Sequence, residues 1–293
     1  MIQVEELTKE YRHFTAVKRL SFTAQPGQVT GFLGPNGAGK TTTISMILGL
    51  AEPTGGRALL GGKPFGELEN PVSAVGAVLA GGAFHDARSA RASLLATCAA
   101  AGLPSSRVEE VLEQTGIADV PNRRVGKFSL GMRQRLSLAQ ALLGDPQVLI
   151  LDEPANGLDP EGIIWLRETL RSLAHEHGKT VFLSSHILSE MQETVDSVVV
   201  IAEGQLVSEF GVSELAGGEA VLARANDNAA LSAAVERAGG KAEPAGDELR
   251  ITGIDAEAVG EAALAAGVPL NELRLAEQDL ESRYMELTAG RGR

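Results

Sequence analysis

Short apolar runs alternate with amphipathic stretches along the first 210 residues. Val29–Gly34 (VTGFLG) is an apolar run that closes on glycine, and the pattern beyond it predicts a helix from Lys40 to about Leu50. Val148–Pro154 (VLILDEP) and Thr180–His186 (TVFLSSH) are further apolar runs without a polar alternate, which suits strands buried on both faces. Such alternation implies an α/β fold: a mainly parallel sheet covered by helices.

Between about residues 83 and 143 the period becomes helical. Arg88–Ala101 is rich in Ala and Leu. Ser106 and Glu109 have capping-box spacing ahead of VEEVLEQTG. A third helix is predicted from Ser129 to near Gly144, with Pro146 as its stop. This stretch reads as a helical insert in the sheet domain. After Phe210 the composition shifts to Ala, Gly and Glu, and GVSELAGGEA reads as a linker. The remainder predicts strands at 220–224, 241–244, 248–252 and 270–276, with helices at 229–238, 255–266 and 280–287. That β-α-β-β-α-β order is the ferredoxin-like arrangement. The expected organisation is an α/β domain over 1–211, a linker over 212–218, and a small C-terminal α+β domain over 219–293.

The chain has 293 residues, 44% hydrophobic and 22% charged, which fits two globular domains and argues against wholesale disorder. Cys98 is its single cysteine, so neither an intrachain disulfide nor a Cys-rich metal site is available. Apolar runs such as Val198–Ala202 fall far short of the roughly 18 residues of a membrane helix. The N-terminus has no apolar signal core. These features predict a cytoplasmic protein. With 26 Lys and Arg against 38 Asp and Glu, the formal charge is −12, which disfavours gripping nucleic acid or anionic lipid. Any attachment to a membrane is therefore expected to run through a protein partner.

The segment Gly34–Thr42 (GPNGAGKTT) fits G-x-x-x-x-G-K-[ST] and lies where that loop must lie, after a strand and before a helix. Its glycines allow a tight turn whose backbone N–H groups point inward at phosphate oxygens. The residues concerned are Gly34, Pro35, Asn36, Gly37, Ala38, Gly39, Lys40, Thr41 and Thr42. Lys40 is expected to reach the β- and γ-phosphates, and the Thr41 hydroxyl to meet Mg²⁺. Asp152 and Glu153 close the apolar strand of VLILDEP, and strand ends of open parallel sheets are where ligands bind. Alternation along a strand predicts that the two carboxylates face opposite ways. Asp152 is assigned to Mg²⁺, and Glu153 to orienting or deprotonating the attacking water.

Immediately upstream of that strand lies FSLGMRQRLSLAQALL (Phe128–Leu143), with Ser129 as a plausible N-cap. It resembles the signature motif of ABC ATPases, here Ser129, Leu130, Gly131 and Met132. The loop after the acidic pair, ANGLDP, resembles the same family's D-loop, here Asn156, Gly157, Leu158 and Asp159. His186 in SSHILSEM matches its switch histidine, and Tyr11 the aromatic that stacks on adenine. The order of these motifs identifies the first 210 residues as similar to an ABC transporter nucleotide-binding subunit, and the SLGM signature with a C-terminal extension resembles drug and antibiotic exporters of the daunorubicin-resistance type.

The resemblance implies an ATPase that works as a head-to-tail dimer, with itself or a paralogue. The signature of one copy closes on the ATP of the other, and a separate membrane permease is contacted near the helical insert. Location at the inner face of the cell membrane follows from that partner. The family's usual glutamine leading into the helical insert is replaced by Ala80. Two other functions fit these motifs less well. A soluble ABC-type ATPase acting on ribosomes or DNA is disfavoured by the single cassette and the acidic charge. A non-catalytic regulatory module is disfavoured by retention of Lys40, Asp152, Glu153 and His186. His175 and His177, two apart at a helix end, read as a solvated last turn and not as a metal site.

Overall fold

The computed structural model describes residues 1–79, 84–187, 191, 193–212 and 220–275. The expected glutamine position at Ala80, the linker from residue 213 on, and the helix at 280–287 lie outside these residues. The chain forms two compact units, one ending at Phe210 and the other beginning at Gly211.

In the first unit, β1 (Ile2–Tyr11) and β2 (Phe14–Ala24) form an antiparallel hairpin. Then come β3 (Val29–Leu33), α1 (Lys40–Ile47) and β4 (Gly55–Leu60), which returns to pair with β1. The result is a three-stranded sheet in the order β2-β1-β4. The short α2 (Pro71–Ala74) leads into β5 (Val75–Val78). Three helices follow: α3 (Ala90–Ala101), α4 (Arg107–Gln114) and α5 (Leu130–Leu142). After them come β6 (Val148–Asp152), α6 (Pro160–His175), β7 (Thr180–Ser185), β8 (Ser197–Ala202) and β9 (Gln205–Gly211). The second sheet has the order β5-β6-β7-β3-β8-β9. β5 through β8 and β3 all run parallel, so the carboxyl ends of β3, β6 and β7 share one edge. β3, β6 and β7 are buried at every position, which is why their sequences lack a polar alternate.

Phe22, Phe32 and Phe182 join the two sheets, with ring centroids 5.2 to 5.5 Å apart. This cluster, with Ile44, Ile47, Ile150 and Val199, forms the floor beneath the edge where β3 and β6 end. Aromatic packing of this kind is stiff, so it fixes the strand ends relative to one another.

Two local expectations change. Ser106 does not form a capping box: its backbone is already helical (φ −59°, ψ −30°), and no side-chain cap bond is made. A capping hydroxyl needs extended backbone to reach the third helical N–H. Glu109 instead pairs with Arg91 at 2.8 Å. Helix α1 ends three residues earlier than predicted, where Gly49 turns to φ 66°.

The second unit contains β10 (Val221–Ala225), α7 (Asn228–Arg237), β11 (Lys241–Ala245), β12 (Glu248–Thr252), α8 (Ala256–Ala265) and β13 (Leu270–Leu275). Its antiparallel sheet has the order β11-β12-β10-β13. Asp227 and Asp255 cap the two helices by accepting from Ala230 and Ala258. Val221, Leu231, Val235, Ile251 and Val259 give it a core of its own.

Candidate functional site

The turn between β3 and α1 is built around two left-handed glycines, Gly37 at φ 83° and Gly39 at φ 102°. A side chain on Gly39 would also meet the Ala16 carbonyl at 2.6 Å, so both the conformation and the space call for glycine. Gly39 has no side chain with which to cap α1, and the first-turn N–H groups of the helix stay available. Pro35, Asn36 and Gly37 are exposed on the rim, while Ala38 is buried beneath it. The loop thus presents oriented N–H dipoles around a concavity suited to an anion.

Lys40 is 5% exposed. Its ammonium donates to the Gly34 carbonyl at 2.7 Å and the Pro35 carbonyl at 3.2 Å. It also lies 3.5 Å from Glu153 Oε1. The aliphatic stem is thus packed and the charge held at the loop, which fixes where a phosphate would meet it.

Asp152 is the last residue of β6 and is buried. Its Oδ2 accepts from Thr41 Oγ1 at 2.9 Å, and its Oδ1 from Ser184 Oγ at 2.6 Å. Parallel pairing of β6 with β7 sets Asp152 opposite Ser184. The same Ser184 hydroxyl accepts from the Glu153 N–H at 2.9 Å. One buried serine therefore anchors both acidic residues. It was missed in the sequence, where its only signal is the polar pair Ser184–Ser185 at the end of an apolar strand.

Glu153 leaves the strand with φ 51°, an uncommon conformation for a residue with a side chain. This turn, and not strand alternation, separates the two carboxylates. Glu153 Oε1 lies 3.3 Å from His186 Nδ1. Glu153 Oε2 accepts from Asn156 Nδ2 at 2.5 Å. Burial opposes ionisation of this carboxyl. The Asn156 amide, the neighbouring His186 and the Lys40 ammonium outweigh it and hold the group below its ordinary range. Lys40, Glu153 and His186, which stand far apart in sequence, meet within 3.5 Å contacts.

Asp159 caps α6, accepting from the Gly162 N–H at 2.8 Å. Gly157 has φ 74°, and a Cβ there would meet Leu130 at 2.5 Å. A Cβ added to Gly131 would likewise stand 3.7 Å from Leu158. The loop after Glu153 therefore packs on the first turn of α5. Ser129 caps that helix, accepting from the Met132 N–H at 3.3 Å. Among the described residues no hydrogen bond joins Ser129–Met132 to the glycine loop. Further along α5, the Arg135 guanidinium lies 3.9 Å from the centroid of the Trp165 ring on α6 and donates to the Thr115 carbonyl.

Tyr11 is half-exposed at the end of β1 and stacks on Phe14 across the hairpin, with centroids 5.2 Å apart. Phe14 was not singled out in the sequence. His175 pairs with Asp196 at 2.9 Å, so it is tied to the start of β8 rather than solvated alone.

A glycine loop, a buried lysine, and a strand-end aspartate beside a helix-start threonine define a P-loop nucleoside triphosphatase. Comparisons place it within that class. Residues 17–156 match the ABC transporter family. The chain is 43% identical over 217 residues to the bacitracin transport ATP-binding protein of Bacillus licheniformis, covering 73% of this chain and 71% of that protein. It is 34% identical over 292 residues to an uncharacterized ABC transporter ATP-binding protein of Bacillus subtilis, covering 98% and 96% of the two chains. The solved structure of an ABC transporter component from Clostridium perfringens superposes with a TM-score of 0.66 at 28% identity, covering 74% of this chain and 90% of that one. The chain belongs to the ABC transporter ATP-binding proteins, and it is an ATP-binding, ATP-hydrolysing subunit. Residues 219–281 match a domain of unknown function. Among the described residues no helix is long and apolar enough to cross a membrane. The family works as dimers with membrane permease partners.

Proposed function

We propose that this chain drives export of an antibiotic-like or lipid-like compound through a separate permease. Its likeness to a bacitracin transport protein supports that substrate class. The observation that carries the site assignment is the convergence of Lys40 and His186 on Glu153 beside the Thr41–Asp152 pair.

In this reading the triphosphate lies on the N–H groups of Gly34–Thr42, with Lys40 against its β- and γ-phosphates. Thr41 and Asp152 supply hard oxygen donors 2.9 Å apart and fit Mg²⁺, which binds few protein ligands and keeps several waters. When bound, Mg²⁺ neutralises charge on the phosphate oxygens. Glu153 orients the attacking water. Because its carboxyl is held below the ordinary range, it is a weak base in the ground state and takes the proton late, as the bond to phosphorus forms. His186 and Asn156 hold the carboxylate in place. Water oxygen bonds to the γ-phosphorus, the bond to the bridging oxygen breaks, and ADP leaves.

The signature segment Ser129–Met132 serves a second copy: its helix N-terminus meets the γ-phosphate held by the glycine loop of that copy. ATP therefore favours the closed head-to-tail pair, and loss of phosphate removes that attraction. The permease, contacted near the helical insert, converts opening and closing into transport and holds the pair at the inner membrane face.

The test is Glu153→Gln in the full chain. It should retain ATP affinity, lose nearly all turnover, and run as an ATP-dependent dimer on size exclusion. Native turnover in this variant would remove Glu153 from the role.

A further inference from the structure

The two edges of the second unit's sheet are unequal. Its order is β11-β12-β10-β13, so among the described residues β11 and β13 each pair on one side only. β11 carries Lys241 and also Pro244, which has no N–H to donate. Residues of both kinds blunt a free edge against further pairing. β13 (LNELRL) has neither.

The core of this unit also stops short at β13. Residues directly opposite in an antiparallel pair share a face. Leu275 lies opposite Val221, and Leu273 opposite Ala223. Val221 and Ala223 are wholly buried, yet Leu275 is 49% and Leu273 39% exposed. Both leucines therefore lie on the helix-covered face, and the cover ends over them. The helix above this border is α8, where a Cβ on Gly260 would stand 3.8 Å from Leu273. Leu264, one turn further along the same flank of α8, is 82% exposed. On the other face of β13, Glu272 and Arg274 stand one on each side of Leu273. Arg224 holds Glu272 at 3.0 Å, and Glu248 holds Arg274 at 2.9 Å.

We propose that β13 is a docking edge for a second copy of this chain, whose own β13 pairs with it antiparallel about a two-fold axis at Leu273. The occupant follows from charge complementarity. In that register Arg274 of each strand stands opposite Glu272 of the other, Leu273 meets its own copy, and Leu275 faces Asn271. The sheet continues from four strands to eight, and the two copies of α8 come together over the leucines that each leaves open. Ion pairs within each copy already hold Glu272 and Arg274 in place, so little side-chain freedom is lost on docking. This contact belongs to the second unit and does not draw on the glycine loop or the signature helix.

The test is sedimentation equilibrium on the full-length protein without nucleotide, so that ATP-driven pairing of the first unit does not contribute. An interface this small is weak and reversible, so the dimer should form at high micromolar protein and dissociate on the dilution of a size-exclusion column. Arg274→Glu sets carboxylate against carboxylate, and Glu272→Arg sets guanidinium against guanidinium. Each should weaken the dimer about tenfold to a hundredfold, and an equimolar mixture of the two variants should restore it, because unlike charges then face each other. Leu273→Cys keeps the edge charges and puts two thiols opposite each other, at a Cα separation of about 4.5 or 5.5 Å, within disulfide reach. Mild oxidation should link that variant into a covalent dimer and leave Asn271→Cys unlinked; the native Cys98 is buried. A native chain that stays monomeric leaves the edge to a strand of another protein or to this chain's own residues 276–293, and overturns the proposal. So does a mixture no tighter than its components, or the absence of a covalent dimer from Leu273→Cys. The double variant Glu153→Gln, Arg274→Glu should still give the ATP-dependent dimer on size exclusion. Its loss there, when Glu153→Gln alone retains it, would place the effect of Arg274 in the first unit and also overturn the proposal.

Discussion

Ser184→Ala tests whether the acidic pair is held by the residue behind it. Ser184 is wholly buried; it donates to Asp152 Oδ1 at 2.6 Å and accepts from the Glu153 N–H at 2.9 Å. Removing the hydroxyl takes a charge-assisted bond, worth about 1.5–3 kcal/mol, from a buried carboxylate. It also leaves the Glu153 N–H without its acceptor, at a cost of about 1–3 kcal/mol. The hydroxyl's own burial no longer has to be compensated, which offsets part of this. The net loss expected is about 2–4 kcal/mol. The chain has one tryptophan, Trp165, and it sits on α6, so its fluorescence in urea reports unfolding of this unit alone. Turnover should fall about tenfold to a hundredfold, because the φ 51° turn that aims Glu153 loses its anchor. ATP affinity should hardly move, since Lys40 and the loop are untouched. Ser184→Cys, with a weaker donor, should fall between. A stability loss below about 0.5 kcal/mol, the size of an ordinary surface substitution, together with native turnover would refute the reasoning.

Three further outcomes are expected. Asn156→Ala removes a donor that helps hold the Glu153 carboxyl below its ordinary value of 4.5. A depressed carboxyl stabilises the fold above its ordinary range and stops doing so as pH falls through its folded value, so the acid limb of kcat/KM should move to higher pH in this variant; an unmoved limb would exclude Glu153 as the titrating group. Trp165→Leu should lower the melting temperature by a few degrees in circular dichroism, because it strips about 1–2 kcal/mol of cation–π contact from a guanidinium that burial already disfavours. A chain ending at Phe210 should still bind ATP, since among the described residues the buried cluster beneath the glycine loop runs from Ile2 to Ile201, with Leu206 packed against it; an aggregated product would show that the second unit is needed for folding.

What is local in the chain was legible in the residues alone. A strand, a glycine turn and a helix start are consecutive residues, so the geometry of Gly34–Thr42 could be read from spacing. So could the apolar runs of β3, β6 and β7, because a strand buried on both faces leaves no polar alternate. Even the strand–helix order of the second unit is written in short-range periodicity. Tertiary structure decided what depends on strands distant in sequence lying side by side. Asp152 and Ser184 are 32 residues apart and meet only because β6 and β7 pair in parallel. The left-handed turn at Glu153 replaced the alternation that a straight strand would have imposed. The cap at Ser106 failed because its backbone angle is set by the fold and not by its residue type. Phe14 gained its place from pairing: the register of β1 on β2 sets it against Tyr11, a contact that no one-dimensional pattern records.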